Sequence, residues 1–114
     1  MCWAVDRVIY DEHEFFISVK RRSDDGLWNI WVSLLEEESC KTTDYTCSIH
    51  FVSRSENCNS RKIFYELNPV SLDFSEEMVF LNGLGVVFTD AIAKKFIIES
   101  RLEWEVKLSK NTVY

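Results

Sequence analysis

One proline, three glycines and two histidines are all that this 114-residue sequence contains of those three types. So little proline and glycine excludes collagen-like, linker-like and low-complexity chains. Basic residues are outnumbered 13 to 19 by acidic ones, leaving a net charge of −6. The basic groups Lys20-Arg21-Arg22, Arg61-Lys62 and Lys94-Lys95 are short and flanked by acids. A nucleic-acid binder needs a continuous basic patch against the phosphates, so neither DNA nor RNA is expected as a partner. Lys20 to Arg22 reads instead as a solvated hairpin end. No uncharged run approaches the ~20 residues of a membrane helix, so no membrane partner is expected. Asn-x-Ser/Thr is absent, and Met1 to Tyr10 already holds Asp6 and Arg7 and reads as a strand. With no secretory leader in that stretch, a cytosolic or nuclear home is the expectation.

The four cysteines, Cys2, Cys40, Cys47 and Cys58, would allow two disulfides, but a non-secreted chain keeps its thiols reduced. Cys40, Cys47, His50 and Cys58 lack the close C-x-x-C pairs of zinc sites, so no metal is expected. Cys47 and His50, three apart on one strand, fall on opposite faces and cannot form a nucleophile–base pair. Gly83-Leu84-Gly85 lacks the third glycine and the lysine of a phosphate loop. No catalytic residue and no cofactor is expected.

What the sequence does hold is alternation. Leu102, Trp104, Val106 and Leu108 fall on one side of the final stretch, with Glu103, Glu105, Lys107 and Ser109 on the other. A period of two is that of a strand with one dry and one wet face. Repeated along a chain with 46% apolar and 14% aromatic residues, it predicts antiparallel sheets covering a shared core.

The expected elements are strands at Ala4–Tyr10, His13–Lys20, Leu27–Leu35, Tyr45–Ser53, Arg61–Leu67 and Arg101–Ser109, with a short one at Met78–Leu81. Phe15, Ile17 and Val19 face inward on the second strand, Trp28, Ile30, Val32 and Leu34 on the third, and Cys47, Ile49 and Phe51 on the fourth. Asn29, Trp31 and Ser33 face outward. Ser23-Asp24-Asp25-Gly26 supplies the turn of a hairpin between the second and third strands. Thr89 or Asp90 can cap one short helix at Asp90–Phe96, where alanines and lysines follow. The fold class is therefore all-β, a single-domain antiparallel β-sandwich of about 7–8 strands with one helix near residues 90–96.

Four stretches carry a family resemblance: LWNIWVSLL at Leu27–Leu35, YTCSIHF at Tyr45–Phe51, GLGVVF at Gly83–Phe88 and SRLEWEVKL at Ser100–Leu108. Together they resemble the MATH domain (meprin and TRAF homology, also TRAF-C), over about Glu14 to Leu108. The likeness is greatest to the divergent MATH domains of nematode BTB-associated proteins. Asn82 stands where the family favours tryptophan, Leu84 replaces a phenylalanine, and the acidic pair before the last strand is Glu99-Ser100.

The resemblance implies a protein-recognition module that holds an extended peptide in a shallow groove across one sheet, often as an adaptor selecting substrates for ubiquitin ligation. By position, the groove would include Trp31, Ile49, Tyr65 and Leu84. Each also has a structural reading: Trp31 covering a sheet neighbour, Ile49 in the core, Tyr65 in a structural role, Leu84 packed on its turn. An outward Trp31 would be an interface anchor, and its removal would leave the fold intact. The alternative function is a scaffold domain that self-associates, or pairs with another folded domain, through a flat patch of Phe16, Trp31 and Phe64.

Overall fold

The computed structural model describes residues 3–38, 40–52, 62–98, 101–102 and 104–111, with side chains for all of these except 3–5, 51–52, 62–63, 94–98, 101–102 and 104. The expected inward positions of Phe51, Leu102 and Trp104, and anything concerning Cys2 or Cys58, lie outside those limits. The chain is mostly strand: β1 (Trp3–Tyr10), β2 (His13–Arg21), β3 (Leu27–Leu34), β4 (Tyr45–Val52), β5 (Lys62–Leu67), β6 (Val70–Ser71), β7 (Val86–Thr89), β8 (Ile97–Ile98), β9 (Arg101–Leu102) and β10 (Trp104–Lys110). Two short helices, α1 (Glu76–Leu81) and α2 (Asp90–Phe96), flank β7.

The first sheet runs β1-β2-β3 antiparallel; along the far edge of β3, parallel β6 covers Ser33 and Leu34 while antiparallel β7 covers Leu27 to Ile30. The second sheet is β10-β4-β5, antiparallel throughout. Alternation does what the sequence predicts: Phe15, Ile17, Val19, Trp28, Ile30, Val32 and Leu34 of the first sheet meet Cys47 and Ile49 of the second. Val106 and Leu108 of β10 are half-buried against the same interior. The all-β sandwich expected from the sequence is the observed architecture. Among the described residues no helix is long and apolar enough to cross a membrane.

Turns are set by local chemistry. Asp11 and Glu12 join β1 to β2 with φ of 52° and 65°, the left-handed geometry that twists a two-residue hairpin correctly. Tyr45 Oη donates to Asp11 Oδ2 at 2.8 Å and Lys110 Nζ lies 3.3 Å from the same oxygen, so the second sheet holds this turn. Gly26 closes the β2–β3 hairpin at φ 68°. A Cβ there would sit 2.7 Å from Asp90 Oδ2, so both angle and space demand glycine.

One expected strand is a helix. Met78–Leu81, read as strand six, lies inside α1, because the ends of this segment specify a helix. Ser75 Oγ accepts the Met78 N–H at 3.2 Å, and Glu76 and Glu77 sit in the positive first turn. At the other end Gly83, at φ 64°, donates to the Phe80 carbonyl and Leu84 to the Val79 carbonyl, which is the Schellman ending.

α1 also corrects the reading of β3. Trp31 points away from the sandwich interior as expected, yet it is only 8% exposed, because residues 70–84 fold back across it. Val70 and Val79 pack on the indole and Leu84 flanks them, forming a third apolar cluster outside the sandwich. The first sheet is thus covered on both faces near β3.

A candidate binding cleft between the first sheet and helix α1

The outer face of the first sheet and α1 enclose a cleft of about 270 Å³. Hairpin register places Lys20 directly beside Asn29 and Ser18 beside Trp31. Lys20, Arg22, Asn29 and Trp31 line the sheet side; Glu76, Glu77, Phe80 and Leu81 line the helix side. The floor is aromatic and the walls carry opposite charges.

Two contacts clamp the walls together. Lys20 Nζ forms an ion pair with Glu76 Oε1, and the Arg22 guanidinium lies 3.9 Å from the centre of the Phe80 ring. Both involve partly exposed groups, so each contributes little to stability but orients its side chain. Asn29 differs from its neighbours. It is only 3% exposed, and its Oδ1 has no hydrogen-bond partner among the described residues. Gly85 admits it, since a Cβ at that position would lie 2.4 Å from Oδ1 and 2.8 Å from the Ile30 carbonyl. An unpartnered buried oxygen costs about 1–3 kcal/mol.

Of the four residues carried over from the resemblance, only Trp31 lines this cleft, and Leu84 packs beside it in the third cluster. Ile49 and Tyr65 lie elsewhere. They pair with one another across β4 and β5 and face the sandwich interior. Ile49 is 0% exposed and can touch no partner, because it alternates with outward Ser48 and His50. The flat patch of Phe16, Trp31 and Phe64 does not form either. Trp31 is covered, Phe16 alternates with core residues of the first sheet, and Phe64 stands on the outside of the second, its ring 4.7 Å from that of His50. Sequence reasoning missed Lys20, Arg22, Asn29, Glu76, Glu77, Phe80 and Leu81. An asparagine interrupting the apolar β3 stretch was the one signal that could have marked the place.

The groups with shifted titration lie away from the cleft. The Tyr45 hydrogen bond, then Lys110, holds Asp11 below the usual carboxylate range. Burial, reinforced by Asp11, pushes the Tyr45 hydroxyl well up, and burial pushes the Cys47 thiol up to about 12. Cys40 Sγ lies 3.7 Å from Tyr45 Oη, and both cysteines are free and buried. None of these groups lines the cleft, and protonated, buried thiols are poor nucleophiles.

No family model matches this chain, and no curated protein does.

Proposed function

We propose that this chain is a protein-recognition module whose cleft holds a short extended segment of a partner protein. The carrying observation is the cleft itself, with Trp31 and Phe80 as aromatic lining and charges of both signs on facing walls. A volume of about 270 Å³ is slightly below the roughly 300–1,000 Å³ of small-molecule pockets. That size suits one or two side chains of a longer ligand. Lys20 and Glu76, already paired, would exchange partners with a peptide carrying both charges.

The resemblance to MATH domains supports the same reading and extends it to an adaptor that selects substrates in ubiquitin ligation. The transferring machinery would come from another domain or protein. The self-associating scaffold loses its support, because its patch is divided between two faces of the sandwich.

Peptide-display selection on the chain, followed by amide chemical-shift mapping of the selected peptides, tests the proposal. Shifts centred on Lys20, Asn29, Trp31 and Phe80, with binding lost in Phe80→Ala, are expected. Enrichment of nothing, or shifts confined to other surfaces, would refute it.

A further inference from the structure

We propose that the cleft selects a cationic guest, an extended segment in which a lysine or arginine stands two positions from a large apolar residue. This rests on the peptide-recognition reading above and adds the chemistry of the guest. Four charged side chains line the cleft: Lys20, Arg22, Glu76 and Glu77. Lys20 and Glu76 pair with each other, and Arg22 Nε lies 3.6 Å from Asp25 Oδ2, outside the lining. Glu77 forms no ion pair among the described residues. Exchange of partners at the Lys20–Glu76 pair favours neither sign, since a guest must answer both charges there. The charge left over is that of Glu77, and it is negative.

The helix wall already displays the chemistry it accepts. Glu76 takes the Lys20 ammonium, and the Phe80 ring takes the Arg22 guanidinium at 3.9 Å. Glu76 and Phe80 are four residues apart and so share one side of α1. Glu77 and Leu81 repeat that spacing one position further round the helix, and both line the same cleft. Leu81 is 71% exposed, so this second row, an acid and an apolar group, is open to a guest. Four helical residues rise about 6 Å, and alternate side chains of an extended chain stand about 6.6 Å apart. A basic residue set on Glu77 therefore brings an apolar residue two positions away beside Leu81. The net charge of −6 steers a cationic partner toward the molecule.

The test titrates the whole chain, followed by amide chemical shifts, with two short serine-flanked peptides whose ends are blocked. One carries Leu-Ser-Lys-Ser-Leu and the other Leu-Ser-Glu-Ser-Leu; leucine on both sides serves either running direction along the row. Shifts at Lys20, Asn29 and Trp31 are expected, with the lysine peptide bound about fivefold more tightly, the most an exposed ion pair supplies. Glu77→Gln should bring the two peptides level, and Glu77→Lys should reverse their order. A role of Glu77 confined to stabilising the first turn of α1 would not reverse it. Leu81→Ser should weaken both peptides. Equal or tighter binding of the glutamate peptide at the cleft overturns the cationic guest while peptide recognition stands. So does a lysine preference that survives Glu77→Lys, or binding unchanged in Leu81→Ser. Binding of neither peptide at the cleft also overturns it, and the display selection then decides separately whether the wider reading survives.

Discussion

The carboxylate of Asp90 accepts the indole N–H of Trp28 at 2.7 Å, tying the first residue of α2 to the strand at the centre of the first sheet. The same carboxylate takes Arg21 Nε at 2.9 Å and Arg21 Nη2 at 2.7 Å, while Trp28 stacks on Phe88 with centroids 6.0 Å apart. Asp90→Ala leaves the mostly buried indole without its acceptor and should cost about 1–3 kcal/mol in urea unfolding. Asp90→Asn keeps an acceptor while losing the ion pair, and should fall between alanine and wild type. Coincident midpoints for all three proteins would show that the triad holds nothing.

Gly26 and Gly83 have nearly the same backbone angle, φ 68° and 64°, but different surroundings. A Cβ on Gly83 meets nothing within 4 Å, whereas one on Gly26 strikes Asp90 Oδ2 at 2.7 Å. Gly83→Ala should therefore cost only the left-handed penalty of about 1 kcal/mol. Gly26→Ala should cost more, because it also displaces the carboxylate that Arg21 and Trp28 share. Thermal melts of the two variants side by side check the order.

Trp31→Ala, expected from the sequence to spare the fold, should instead destabilise it by about 3 kcal/mol, since it empties the cluster that Val70 and Val79 close. Chemical denaturation decides between the two expectations. An unchanged midpoint would mean that residues 70–84 do not depend on the indole.

Alkali should weaken the fold in a defined window. Tyr45 in the folded state has its pKa raised above 10.0, and Cys47 is raised from 9.0 to about 12. Both contribute stability that is fully present below the unfolded pKa and is lost as pH rises toward the folded one. Unfolding free energy should therefore decline from about pH 9 upward. Tyr45→Phe should flatten the decline above pH 10, as measured by urea unfolding at stepped pH. Asp11, with its lowered pKa, acts at the opposite end: its contribution is present above its ordinary value and lost as pH falls.

Most of the strand positions and the core were legible because alternation survives wherever one face is dry. Phe15, Ile17 and Val19, and likewise Cys47 and Ile49, are buried where a period of two puts them. The α2 helix was legible from Asp90 and its alanines. Met78 to Leu81 was not, because four apolar residues fit either a buried strand or a helix turn. The deciding marks were Ser75 before two acids and Asn82-Gly83 after. In β3 the outward positions hold Trp31 and Ser33 among continuous apolar neighbours, the pattern of a strand covered on both sides. Reading it as half-exposed gave an open groove where a covered one exists. Ile49 and Tyr65, carried over from the resemblance, face the sandwich interior for a related reason: position along a family profile does not say which way a side chain faces.

Residues 70–84 close off Trp31 from above, while Lys20 and Leu81 stand with it in the cleft lining. For the proposed peptide ligand, admission would be governed at this rim rather than at the aromatic floor. Changing one ionic gatepost there would alter which ligands enter while leaving the interior untouched.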